Sequence, residues 1–270
     1  AHHLARSYRR SGQGELSRKT LIHAAYHHPL NWYGILALEE LRGLDPYSAL
    51  ATEHTLVPAY RGPLLDPQWD ETPQTRELRD KLRALATYGL TEGILQESRA
   101  AGIEHHAGRT AWVAGVLTDL GAPREASKLA HSALETHGVH SPLDGLVELW
   151  QLAYPRPFRE AVERHGHKNQ VDPRLTWAIM RIESRYGTTA ESHAGAKGLL
   201  QVMPKTAQWL AMLRRESGPL DLFDPLQNIE LASDLLGRLH EKFAGDVPLM
   251  LVAYNAGSGR TRSWLRKVRA

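Results

Sequence analysis

The stretch DPRLTWAIMRIESR, residues 172–185, opens with an aspartate and a proline and then repeats apolar residues at three- and four-residue steps. Asp172 suits a helix N-cap, where its carboxylate accepts backbone N–H groups that lack an intrahelical partner. Pro173 suits the first helical position, where a missing N–H costs nothing. The spacing of Leu175, Ala178, Ile179 and Ile182 predicts a helix to about residue 185, with those four on its buried stripe. Glu183 stands four residues past Ile179 and eight past Leu175. At about 100° per residue it projects within about 80° of them. A carboxylate there is penalised twice, by the helix dipole and by apolar neighbours that desolvate it. Both effects strengthen its hold on a proton, as a general acid near neutral pH requires. On this helix alone, a solvated edge glutamate paired with Arg181 or Arg185 is the plainer reading.

The same punctuation recurs downstream, at Met203-Pro204 and Asp224-Pro225. Upstream, the apolar residues of 22–41, 76–88, 110–120 and 125–134 also keep the helical period, and no stretch alternates as a strand would. In 22–41 the cluster is Ala25, Tyr26, Leu30, Trp32, Tyr33, Leu36 and Leu38. Gly89 and the Gly121-Ala122-Pro123 break mark helix ends. No fixed repeat of the tetratricopeptide kind is visible, so an irregular α-solenoid is expected. Residues 57–72 carry Pro58, Pro63 and Pro67 and form a break between helices. A helix over 142–153 ends at Tyr154-Pro155-Arg156-Pro157-Phe158, which no helix can cross intact. The fold class is all-α, with one domain over 1–150 and a second over 151–270.

Composition narrows the chemistry. The chain has 270 residues, 42% hydrophobic and 23% charged, enough for one large or two ordinary domains with buried cores. It has no cysteine, which excludes disulfide scaffolds, thiolate metal sites and thiol catalysis. Lys plus Arg is 33 against 30 for Asp plus Glu, too even a balance for a nucleic-acid partner. Only 260–269 is clearly basic. Fifteen histidines invite a metal, but no His-Glu-x-x-His occurs, so no metal and no cofactor are expected. No apolar run is long enough to span a bilayer. The chain begins at Ala1 without a Met or a leader and reads as a processed or excised piece.

Two further segments join Glu183. GAKGLLQVMP, residues 195–204, sets two glycines and Gln201 before a helix start, allowing close backbone approach to a ligand. AYNAG, residues 253–257, ends a very apolar helix over 248–253. Together, Glu183-Ser184, the run from Gly198 to Pro204 and the run from Ala253 to Gly257 resemble the soluble lytic transglycosylases in order and spacing. Asp224-Pro225, Asn228-Ile229 and the Tyr154-Pro155 lead-in match the same family. More weakly, His28-Pro29-Leu30-Asn31-Trp32-Tyr33 and Leu36-Ala37-Leu38 look like the helical superhelix that precedes the catalytic domain in its large members. Gly187-Thr188 departs from the Asn-Pro often found there. The family pattern continues past Trp264 with further helices, so the catalytic domain is expected to be truncated at its C-terminus.

The resemblance implies a lysozyme-like helical domain that cleaves the MurNAc–GlcNAc bond of peptidoglycan without water, leaving 1,6-anhydroMurNAc ends. It implies Glu183 as the single acid and then base, a one-carboxylate route; ordinary glycosidases need two carboxylates, and no second one stands out in these motifs. It places Ser192, Gln201, Met203, Tyr254 and Asn255 along the substrate. It implies a periplasmic location, glycan strands as substrate, and wall-synthesis or division proteins as possible partners. The alternatives are a lysozyme-type hydrolase, whose product carries one more water, and a non-catalytic wall-binding scaffold.

Overall fold

The computed structural model describes residues 1–27, 32–56, 72–139 and 146–269. Among them are fifteen α-helices and no strand beyond two isolated antiparallel bridges, Glu191 with Lys197 and Lys197 with Val202. The chain divides into two compact units, Ala1–Ala153 and Tyr154–Ala270.

The first unit is a helical array in which neighbours in sequence pack on one another. Helices α1 (His2–Arg10), α2 (Gly14–His27), α3 (Trp32–Leu44) and α4 (Pro46–Leu56) share an alanine-rich core of Ala5, Ala24, Ala25, Ala37 and Ala49 around Leu21 and Leu41. Small side chains there let the helix backbones approach closely. Helices α5 (Pro73–Thr87), α6 (Thr91–Ala100), α7 (Ala107–Asp119), α8 (Pro123–Thr136) and α9 (Val147–Ala153) enclose a second core. Ser127 on α8 donates its hydroxyl to the Ala153 carbonyl at 2.6 Å, pinning α9 to α8. Gly121 makes the reversal between α7 and α8 with φ 73°, a conformation glycine adopts without a steric penalty.

Here the sequence reading needs correction. The stretch 22–41 belongs to two helices, and Tyr26 and Tyr33, read among its apolar cluster, are 41% and 49% exposed. The element at 28–33 lies outside the described residues up to Asn31, as does the proline-rich break up to residue 71. The helix read over 142–153 is described only as α9, because residues 140–145 lie outside the description.

The second unit comprises α10 (Arg159–Lys168), α11 (Pro173–Ser184), α12 (Pro204–Arg214), α13 (Pro225–Lys242), α14 (Val247–Ala256) and α15 (Ser258–Arg269). Three of these starts use an aspartate cap. Asp172 accepts from Arg174 N at 2.8 Å, Asp224 from Gln227 N at 2.7 Å and Asp246 from Leu249 N at 3.0 Å. Each satisfies a backbone donor the helix itself cannot. Helix α13 is the longest of the six and packs on α10, α12 and α14. Its residues Ile229, Leu231, Ala232 and Leu236 meet Met180, Leu199, Leu200 and Leu210 in the core.

The buried face of α11 matches the apolar spacing only in part: Ile179 is buried and Leu175 packs against the core, but the face is rotated away from the other two. Ile182 is 76% exposed and Ala178 is also exposed, while Thr176, Trp177, Ile179, Met180 and Ser184 are buried. Trp177 decides the rotation. Its ring is buried, and its indole N–H donates to the Pro157 carbonyl at 2.9 Å, so that side of the helix must face inward.

Candidate active site

Glu183 occupies the last turn of α11. It lies seven residues beyond Thr176 and three beyond Met180, both fully buried, so its stem borders the core while its carboxyl reaches the edge. Burial raises its pKa above the ordinary glutamate value, and no charged neighbour opposes the shift. The ion pair the plainer reading would require is not there: the Arg181 guanidinium stacks 4.5 Å from the Tyr154 ring, and Glu183 takes part in no ion pair among the described residues.

The chain after Glu183 stops the helix abruptly. Ser184 is buried, donates its hydroxyl to Met180 O at 3.2 Å and accepts from Gly187 N at 3.1 Å. Arg185 and Tyr186 then take φ of 50° and 64°, a left-handed pair without a glycine. Tyr186 is 4% exposed, and burial pushes its phenol up to about 12. The serine of the Glu-Ser pair therefore secures the helix end that carries Glu183.

A knotted loop follows. Ser192 Oγ accepts from Ala196 N at 3.0 Å, closing a small turn between the bridged residues Glu191 and Lys197. Gly198 N and Gln201 Nε2 both donate to the Ala190 carbonyl, at 2.8 and 3.0 Å. Gln201 has φ 48° and also donates from Nε2 to Gly198 O at 2.8 Å. The Gln201 amide nitrogen thus holds the turn, and only its oxygen remains uncommitted among the described contacts. Met203 is 39% exposed and precedes α12 at the N-cap.

Asn228, on α13, was matched in the sequence only as half of an Asn-Ile pair, yet it organises this loop. It is fully buried, accepts from Leu200 N at 2.9 Å and donates to the carbonyls of Lys197 and Leu222, each at 2.9 Å. Gly198 fits beneath it because it has no side chain. A Cβ there would lie 2.1 Å from Leu222 O and 2.5 Å from Asn228 Nδ2. One signal could have exposed this role: a lone amide on the apolar stripe formed with Leu231, Ala232 and Leu235.

Tyr254 reaches the same loop from α14. Its hydroxyl donates to Leu200 O at 2.7 Å. Burial, with the nearby negative charge of Glu183 second, raises the phenol's pKa well above its ordinary value, so it stays neutral. Helix α14 runs on through Ala256 instead of ending at Ala253, so Tyr254 and Asn255 are both helical. Consecutive helical residues point about 100° apart, which is why Tyr254 turns in and Asn255 is exposed. Gln201 and Tyr254 both bond the 190–201 loop, Ser192 closes a turn within it, and Met203 follows it at the start of α12. Glu183 is linked to the group through its charge on Tyr254, and Asn255 shares no bond with them among the described contacts. A cavity of about 780 Å³ in this unit, lined by Lys242, Phe243, Leu249, Arg262 and Arg266 among others, includes none of the six. Among the described residues no three His, Asp or Glu side chains converge as metal ligands, and no helix is long and apolar enough to cross a membrane.

Comparison with known proteins adds the following. Residues 160–270 match the family model described as the transglycosylase SLT domain. A soluble lytic murein transglycosylase of Escherichia coli K12 is 34% identical over 125 residues, covering 45% of this chain and 19% of its own length. Its counterpart in Salmonella typhimurium is 29% identical over 151 residues, covering 52% of this chain and 23% of its own. The chain therefore spans about a fifth of the length of these relatives. The crystal structure of the 70 kDa soluble lytic transglycosylase of E. coli superimposes with a TM-score of 0.67 at 20% identity, covering 98% of this chain and 39% of that one. At that identity the likeness is one of fold.

Proposed function

We propose that this chain, whose residues 160–270 match the transglycosylase SLT domain model, is a peptidoglycan lytic transglycosylase in which Glu183 serves first as acid and then as base. The observation that carries the reading is the Glu183 carboxyl itself: partly buried, unpaired with any cation among the described residues, and raised in pKa by desolvation. An acid in that state holds a proton closer to neutrality than an exposed glutamate does.

Protonated Glu183 donates to the oxygen joining N-acetylmuramic acid to N-acetylglucosamine, and the bond from that oxygen to the muramic anomeric carbon breaks. The N-acetyl carbonyl oxygen of the same muramic residue relieves the positive charge left on the carbon. The C6 hydroxyl then closes on that carbon, and the Glu183 carboxylate removes its proton. One proton leaves the glutamate and one returns, so no water is consumed and the product is a 1,6-anhydro end. A second carboxylate has no task on this route, in contrast to ordinary glycosidases. Tyr254, whose buried phenol is reached by the Glu183 charge and stays neutral, is assigned to the substrate path together with Ser192, Gln201, Met203 and Asn255. Murein lies outside the cytoplasmic membrane, so a periplasmic site of action forms part of the same proposal.

Digestion of purified sacculi, with the sugar ends read by mass spectrometry, tests it. Anhydro ends support the proposal. Reducing ends heavier by one water would make the chain a hydrolase, and retention on sacculi without released fragments would make it a scaffold.

A further inference from the structure

The Leu200 peptide is held on both sides. Its N–H donates to Asn228 Oδ1 and its carbonyl accepts the Tyr254 hydroxyl, at 2.9 and 2.7 Å. Asn228 is fully buried and commits both amide hydrogens as well, to Lys197 O and Leu222 O. Gly198 packs so closely against it that a Cβ there would lie 2.5 Å from the amide nitrogen, and the three bonds fix the amide's orientation. A phenol has a single hydrogen. With that hydrogen on Leu200 O, the Tyr254 oxygen can act toward every other neighbour only as an acceptor. Glu183 is the charged group whose field reaches this phenol. The other titratable groups at this end of α11, Tyr154, Arg181 and Tyr186, are coupled to one another.

We propose that Asn228 is a positioning residue: by fixing the Leu200 peptide it keeps the Tyr254 hydroxyl hydrogen away from Glu183. The inference deepens the reading of Glu183 as the acid and rests on it. A phenol that donated to the carboxylate would favour the ionised form and loosen the proton the first step needs. An accepting phenol leaves the proton in place. Asn228 thus acts on the acid through two intermediates, a peptide group and a tyrosine, without touching it.

The test reads the proton on Glu183 directly, from the ¹³C shift of its carboxyl through a pH titration of the whole chain. The four proteins are the unaltered chain, Asn228→Ala, Tyr254→Phe and the double variant, each checked for fold by circular dichroism. Asn228→Ala is expected to raise the Glu183 acid dissociation constant about tenfold, the worth of a hydrogen bond to a charged group. That change should vanish when Tyr254→Phe is also present. Tyr254→Phe alone should leave the midpoint unchanged or lower it. A midpoint that rises on Tyr254→Phe overturns the inference, because the phenol would then be donating to Glu183. An equal shift from Asn228→Ala in both backgrounds overturns it too. Should Asn228→Ala fail to fold, the sign of the Tyr254→Phe change still decides. Sacculus digestion by the unaltered chain keeps the two ideas apart. Expected titrations with no cleavage sink the transglycosylase reading alone, and cleavage with the opposite titrations sinks the clamp alone.

Discussion

The two units turn their chain in different ways. In Ala1–Ala153 the left-handed positions among the described residues fall to glycine, at Gly12, Gly89, Gly102, Gly121 and Gly138, with Leu146 the exception. In Tyr154–Ala270 seven side-chain-bearing residues adopt the same conformation, among them Arg185, Tyr186 and Gln201 around the candidate acid. Each such residue costs about 1–2 kcal/mol relative to glycine. An array of helices only has to reverse direction, and a glycine does that with little strain. A site needs functional groups at the bend itself. The Gln201 amide closes its own turn and the Tyr186 ring fills core, so surrounding contacts hold the strained backbone in place.

The largest effect that could break this contrast is chemical. Glu183→Gln keeps the shape and removes the proton, and cleavage of sacculi is expected to fall by about 10²–10⁴-fold. A variant near unaltered turnover would remove the acid from the site. Next come two glycines with the same left-handed φ and different surroundings. Gly198→Ala drives a methyl into Leu222 O and Asn228 Nδ2 and should lose about 3 kcal/mol or more in denaturant melts. Gly121→Ala meets open space and should lose about 1 kcal/mol, the backbone penalty alone. Equal losses would mean that the 198–201 turn is no tighter than an array turn. In the opposite direction, Arg185→Gly relieves an exposed left-handed residue and should gain about 1 kcal/mol. A loss there would show that the Arg185 side chain, and not only its backbone, secures the end of α11.

How much of this could be read beforehand follows the range of each interaction. The Asp-Pro helix starts were legible because a cap and its backbone donor lie two or three residues apart. Glu183 was singled out as a candidate by the motifs downstream, its own helix alone favouring a solvated edge glutamate. The rotation of α11 was not, since Trp177 is turned inward by Pro157, twenty residues away on the far side of a helix start. Hidden most deeply was the clamp: Leu200 meets Asn228 across 28 positions and Tyr254 across 54. Nothing local announces such pairings, and a helix stripe containing one amide was their only trace. The split of 22–41 into α2 and α3 was missed for another reason. Both helices are apolar enough to read as a single cluster, and Tyr26 and Tyr33 count as apolar while facing solvent.

The smallest effect concerns stability against pH, where Glu183 and Asp172 should pull in opposite directions. Asp172 is held below its ordinary pKa, chiefly by the Arg174 guanidinium, so its contribution is present above the unfolded value and disappears as pH falls through the folded one. Glu183 is shifted upward by burial. Between its unfolded and folded values the native chain holds more of the proton than the unfolded chain does. Stability therefore declines as pH rises through that window, and the loss is complete above the folded value. Glu183→Gln removes the ionisation and with it the decline. The melting temperature of the variant should gain on that of the unaltered chain as pH climbs from the ordinary glutamate range toward neutrality, then keep a constant lead. Asp172→Asn should show its deficit most clearly at neutral pH and lose it in acid. If both differences ran the same way with pH, the Glu183 carboxyl would be stabilised as an anion, like that of Asp172, and would be unsuited to donate a proton.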